Sequence, residues 1–254
     1  MNAARRNEAA LGAVGAVAVV AAWEAVARSG LVDPAIFPAP SAAIVGALTR
    51  LPPGEIAGSV AISLLRIVEG FALGAALGIA LALASGWYRI FGNLVRPLVE
   101  VLRPIPPLAW IPMAIVWFGL GEPSKVFVIF LGAFFPVLTN AYRGVTGVDP
   151  VLIRAAQTMD IGGLRLLVRV VIPAAMPDIA TGLRVGWGLS FGVLVAAELI
   201  AAESGMGFMI MNARQFGDVG VIVFGILLIG ACNLATDWGL ALLIRRWLGR
   251  WHSV

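Results

Sequence analysis

The chain is almost without cysteine, histidine and lysine. Cys232 is its one cysteine and sits inside an apolar run, so neither a disulfide framework nor a CxxC metal site can be built. His252, in the C-terminal tail, is its one histidine, which argues against a histidine-based metal centre and against a histidine general base. Lys125, the one lysine, follows Ser124, and no glycine-rich run of the form GxxxxGK[ST] leads into it. The backbone cradle and lysine that hold nucleotide phosphates in a P-loop are therefore missing. Charge of either sign is scarce: Asp, Glu, Lys and Arg make up 13% of 254 residues, against roughly a quarter in soluble domains.

What fills the chain is apolar: 60% hydrophobic residues and a mean hydropathy of +0.96 define a polytopic membrane protein. The 18 Lys+Arg against 14 Asp+Glu form no single basic patch, so they read as membrane topology and not as a nucleic-acid surface. About 20 apolar residues cross a hydrocarbon core roughly 30 Å thick. On that measure six spans are predicted, near residues 9–28, 60–85, 97–119, 124–143, 178–202 and 219–243. The third carries Pro97, Pro104, Pro106, Pro107 and Pro112, which predicts a kinked or interrupted helix. The first, behind Arg5 and Arg6, is read as a retained helix and not a secretory signal, given its length and the lack of a cleavage site before Arg28. The expected organisation is residues 1–58 as first helix and linker, 59–247 as membrane core with a polar loop at 145–177, and 248–254 as tail.

Basic residues set orientation. With the N-terminus, the 86–96 loop, the 143–177 loop and the C-terminus on one face, that face holds Arg5, Arg6, Arg89, Arg96, Arg143, Arg154, Arg165, Arg169, Arg245, Arg246 and Arg250. The other holds Arg28, Arg50, Arg66, Lys125 and Arg214. Eleven against five makes the first face cytoplasmic, with both termini inside. On the outer face Leu31–Ser41, with Pro34, Pro38 and Pro40, predicts an extended linker before a short helix. Glu203–Asp218 predicts a short interfacial helix behind Gly205 and Gly207.

The polar loop is the most informative segment. Asp149 before Pro150 is a helix start, an N-cap acceptor followed by a proline that misses no hydrogen bond. A helix is expected from Pro150 to Met159, its Ala155, Ala156 and Met159 giving a small apolar face for a partner, with Arg154 and Gln157 as polar contacts. Gly162 and Gly163 are expected to end it. A second helical piece from Leu164 to Val171 carries Arg165 and Arg169, before Pro173 and Pro177 turn the chain into the fifth span. The product is a helix-turn-helix hook outside the bilayer.

On these residues the chain resembles the permease subunits of binding-protein-dependent ABC importers. Ala155, Ala156, Ile172 and Pro173 fall on the family's loop pattern, while Arg154 stands where the family has Glu and Asp160 where it has Gly. SLLRIVEGFALG (63–74), RPIPPLAWIPMAIVWFGLGEPSK (103–125) and ESGMGFMIMNA (203–213) look like its nitrate, sulfonate and taurine branch. The resemblance implies an all-α type I importer transmembrane domain that moves a small polar or anionic solute across the bacterial inner membrane by alternating access. It implies a homodimer, two ATPase subunits seated on the hook, and a soluble or lipid-anchored substrate-binding protein outside. No cofactor is expected on this chain itself; ATP and Mg belong to the ATPase. Arg154, Ala155, Ala156, Gln157, Met159, Asp160, Gly162, Gly163, Arg165 and Pro173 are the expected ATPase-coupling residues.

Polar residues at membrane depth are the candidates for the solute path. Arg66 and Glu69 lie three apart on one helix face as a mutual ion pair, a substrate contact by Arg66 being the sharper alternative. Glu198, inside VLVAAELIAA, faces either a path or a structural partner. Trp110 and Asn140 complete the set, with packing for the tryptophan and a bond between helices for Asn140 and Asp237 as the plainer readings. Gly70, Gly74 and Gly78 allow close helix approach, within the subunit or across a dimer. The rival function is an ion-gradient-driven secondary carrier, which needs intramembrane ionisable residues.

Overall fold

The computed structural model describes residues 2–248; the His252 and Arg250 positions and most of the expected tail lie outside them. In chain order the helices are α1 (Asn2–Arg28), α2 (Pro40–Arg50), α3 (Pro53–Trp87), α4 (Arg89–Leu102), α5 (Ile111–Phe118), α6 (Glu122–Thr146), α7 (Pro150–Thr158), α8 (Gly163–Leu166), α9 (Ile172–Ala201), α10 (Met206–Gln215) and α11 (Val219–Leu248). Among the described residues there is no strand. Four helical segments are long and apolar enough to cross a membrane, and α4 with α5 makes a fifth if the bent pair is one span. The expected first span lies inside α1.

The core is a three-helix stack in which α6 lies between α3 and α9. Small residues bring the backbones together. A methyl group added at Gly70 would press on Ile129, and one at Gly74 would come within 2.7 Å of the Phe130 carbonyl. The glycine stripe thus seats α3 on α6 inside one subunit, which settles the choice left open by spacing. Gly182 and Gly186 do the same for α9 against Asn140 and Val137 of α6. Ile67, Ile129, Val137, Phe191 and Leu194 fill the middle, while Leu138, Ala141, Val171, Ala175 and Ile179 form a second cluster toward α7. At the far end Ala47, Met209, Ala213, Val221 and Phe224 join α2, α10 and α11.

The proline-rich third span is broken as expected. Between α4 and a 3-10 turn at Pro107–Trp110 the chain bends by 87°. Pro104, Pro106 and Pro107 each lack an amide hydrogen, so no continuous helical ladder can pass. The fifth span departs from expectation. Pro173 and Pro177 do not turn the chain; helix runs from Gly163 to Ala201, through a π turn at Leu167–Val171. There the Ile172 amide donates to the Leu167 carbonyl, five residues back. The wider π turn gives the ring of Pro173 room that an α turn would deny it.

Candidate coupling hook and membrane-buried polar network

The hook begins as its sequence dictates: the Asp149 carboxylate accepts from the Val151 amide at 2.8 Å, and Pro150 takes the first helical position. Its end differs. The helix stops before Gly162, because Asp160 takes a left-handed conformation (φ 59°) and the Ile161 amide donates back to Ala156. That conformation favours Gly and is tolerated by Asp, whose short polar side chain bears it better than a branched one. Asp160 thus stands at a backbone position where Gly would be unstrained. Gly162 is extended, and Gly163 (φ 54°) starts the helix leading into α9.

Not all the expected coupling residues face outward. Arg154, Ala155, Gln157, Met159, Asp160, Gly162, Gly163 and Arg165 are exposed and Pro173 is half-buried. Ala156 is buried, at 6% exposure, so it anchors the hook to its own subunit and offers a partner nothing. Val151, Leu152, Leu164 and Val168 are exposed apolar residues around the same hook and were missed. Their spacing held the signal, since Leu152, Ala155 and Met159 share one helix face.

The buried network lies near the other end. Arg66 on α3, 1% exposed, donates Nε and Nη2 to the two carboxylate oxygens of Glu122, at 2.6 and 2.7 Å. Its Nη1 reaches Glu198 Oε1 at 2.8 Å and the Ser204 carbonyl at 2.6 Å, and Nη2 also meets the Ser204 hydroxyl at 3.1 Å. Glu198 further accepts from the Ser63 hydroxyl at 2.7 Å and the Gly207 amide at 2.8 Å, while Ser63 accepts from the Met206 amide. Lys125, also buried, donates to Glu122 at 3.0 Å. Every nitrogen of the guanidinium is engaged. Four helices, α3, α6, α9 and the start of α10, and the loop that carries Ser204 are tied at one point, and a side chain at Gly205 (φ 114°) would strike the Glu198 carboxyl.

This corrects the expected pair. Glu69 is exposed and makes no ion pair among the described residues, and Arg66 binds two other carboxylates more than fifty residues away. Spacing along one helix could not reveal partners contributed by α6 and α9. Asn140 is corrected too: its amide donates to the Pro136 carbonyl of its own helix at 2.8 Å. Asp237 does bridge helices, accepting from Arg184 at 2.9 Å. Trp110 packs 6.1 Å from Trp117, at the start of an aromatic run through Phe118, Phe127, Phe130 and Phe134.

The described residues form an α-helical stack with four or five segments long and apolar enough to cross a membrane and a capped helical hook between two of them, the architecture of a polytopic membrane protein. The chain belongs to the binding-protein-dependent transport system inner membrane component family, whose pattern matches residues 74–249. It is an ABC transporter permease. It is 45% identical over 188 residues to an ABC transporter permease protein of Methanocaldococcus jannaschii, covering 74% of this chain and 70% of that one. It is 37% identical over 246 residues to the taurine transport system permease protein TauC of Escherichia coli, covering 94% and 89%. With the aliphatic sulfonates transport permease protein SsuC of Bacillus subtilis it shares 35% over 235 residues, covering 92% and 85%.

Proposed function

We propose that this chain is the membrane half of an ATP-driven importer for a small anionic or polar solute such as a sulfonate, nitrate or taurine. Two copies surround a central path. Two separate ATPase subunits, which bind the ATP and Mg, seat on the hooks, and a substrate-binding protein delivers cargo at the opposite face. ATPase closure moves the hooks and switches the path between its two openings. The hook face and both termini lie in the cytoplasm, following the arginine bias, and the membrane is the bacterial inner membrane.

The observation that carries this reading is the hook: a helix capped at both ends with Leu152, Ala155 and Met159 exposed on one face and Arg154 exposed beside it, followed by the exposed Arg165 of α8. Apolar side chains left in water beside charges suit a partner surface. The names of TauC and SsuC support the cargo class. The rival carrier reading loses its main support, because Glu198 is held by Arg66, Ser63 and the Gly207 amide and has no freedom to pick up a driving ion.

Single cysteines at Ala155, Ala156 and Met159, in a background with Cys232 replaced, test the hook against the co-expressed ATPase. Crosslinks are expected at 155 and 159 and not at the buried 156. Absence of crosslinks at every exposed position overturns the proposal, as does uptake by vesicles that lack any ATPase.

A further inference from the structure

Two cavities open beside the α4–α5 bend. One, of about 460 Å³, reaches from Ser85 and Thr146 at the hook end inward to Thr139. The other, of about 320 Å³, continues along α6 and α9 past Asn140 to Leu131 and Val185. Both are lined by Arg103 and Thr139, so these two residues form the threshold between them. Thr139 lies seven residues before the end of α6, roughly 10 Å along the helix from its hook-end terminus. Arg103 stands at the same level, on the short break between α4 and the 3-10 turn.

Arg103 differs from the arginines around it. Arg96, in the same cavity, is committed to Glu100 at 2.7 Å, Arg66 is saturated by Glu122 and Glu198, and Arg184 binds Asp237. The Arg103 side chain is exposed and makes no hydrogen bond or ion pair among the described residues. With Arg96 and Glu100 neutralising each other, it leaves the threshold one net positive charge. A free guanidinium at that depth cannot rest in hydrocarbon and calls for water or an anion. Asn140 keeps one amide hydrogen after its bond to Pro136, so a second neutral donor faces the same space.

We propose that Arg103 is the residue that selects for anions in the path: a small oxyanion crossing from the mid-membrane cavity to the hook-end cavity is taken up by its guanidinium. This rests on the importer reading and adds to it the point at which cargo charge is read. A guanidinium presents paired N–H donors to two oxygens of a sulfonate or nitrate, a match an ammonium lacks. The bend serves this contact by placing the residue at the path wall.

The test reads the charge of the path without needing the cargo. In the assembled permease–ATPase complex, with Cys232 replaced and Thr139→Cys introduced, the probes are sulfonatoethyl methanethiosulfonate, an anion, and its trimethylammonium-ethyl counterpart, a cation. With Arg103 present the anion is expected to react faster relative to the cation than it does with a small free thiol. Arg103→Gln lowers that ratio by about tenfold, the effect of one charge a few ångström away at intermediate dielectric. Arg103→Lys keeps most of it. An unchanged ratio in Arg103→Gln, an equal slowing of both reagents, or no labelling of Thr139→Cys overturns the assignment. ATP-driven uptake by the same complex is measured separately. Its absence in the parent protein counts against the importer reading, and an unchanged labelling ratio alongside active uptake counts against Arg103 alone.

Discussion

Replacing Glu198 by Ala removes the acceptor for three groups at once: an Arg66 N–H, the Ser63 hydroxyl and the Gly207 amide. The side chain is fully buried, so water cannot take its place, and stripping one member from a buried charge pair costs about 3–5 kcal/mol. Arg66 keeps both oxygens of Glu122, which puts the expected loss at the low end, about 3 kcal/mol. Glu122 sets the comparison. It accepts two hydrogen bonds from the same guanidinium, yet its side chain is 50% exposed, so water replaces much of what Glu122→Ala removes. Because the variant also strands the buried Lys125 ammonium, its cost should be about 2 kcal/mol, between that of an exposed pair and that of a fully buried one. At ~2–4 °C per kcal/mol, Glu198→Ala should melt about 2–4 °C below Glu122→Ala in detergent, read by tryptophan fluorescence and by monodispersity on size exclusion. Arg66→Met combined with Glu198→Met should recover part of the loss, since no charge is then stranded. If Glu122→Ala proves as damaging as Glu198→Ala, burial is not what gives this network its strength.

Three further outcomes follow from the same geometry. Gly74→Val forces a branched side chain against the Phe130 carbonyl and Ala133, and should lower stability by about 1–3 kcal/mol, whereas Gly192→Val, with open space around it, should not; melting of the two variants decides. At the hook, Asp160→Gly should leave amide exchange over 150–159 unchanged or slower, and Asp160→Val, strained by about 1–2 kcal/mol at positive φ, should speed it. Burial raises the pKa of Asp218, but the Arg50 guanidinium 2.6 Å away and the Val221 and Gly220 amides outweigh it and hold the carboxyl below its ordinary value. A carboxyl depressed in the folded state stabilises above its unfolded pKa and loses that contribution as pH falls through the folded one. The melting difference between the parent and Asp218→Asn, no more than ~1 kcal/mol because Arg50 is exposed, should therefore be constant at neutral pH, begin to shrink as the pH nears the ordinary carboxylate value of about 4, and vanish only below the lowered folded value.

Much of this was legible in the sequence, and the reasons differ by feature. The broken third span followed from its prolines, which act locally through missing amides and fixed φ. The hook start followed from Asp149 and Pro150 for the same local reason. Arg66 and Glu198 were recognisable as costly charges at membrane depth, but their mutual pairing was not, because 132 residues and two helix packings separate them. The continuity of Gly163–Ala201 was hidden because two prolines read as breakers, and only a π turn reconciles them with a helix. Asp160 looked like a departure from the resemblance, yet it holds a left-handed backbone conformation of the kind that favours Gly.

That continuity bears on how force would cross the molecule. A helix of 39 residues spans roughly 58 Å, so the element that leaves the hook at Gly163 is the one that carries Glu198 into the buried network. Packed helices move as units and switch between discrete arrangements; they do not deform smoothly. A push received at Leu152 and Met159 would therefore reach Glu198 as displacement of a rod seated by Gly182 and Gly186 on α6, with the π turn as its most yielding point. Arg66 and Glu198 close the far end of that rod against α3 and the 202–206 segment. On the proposed importer reading the network would resist that motion until enough hook displacement accumulated to move the segment with it, and weakening it should loosen the link between hook position and the far opening. Glu198→Gln, which keeps the side-chain shape and removes the charge, is expected to raise basal ATP hydrolysis by the assembled complex in the absence of substrate-binding protein. Unchanged basal hydrolysis, with the protein still folded, would mean that the network holds the subunit together without taking part in transmission.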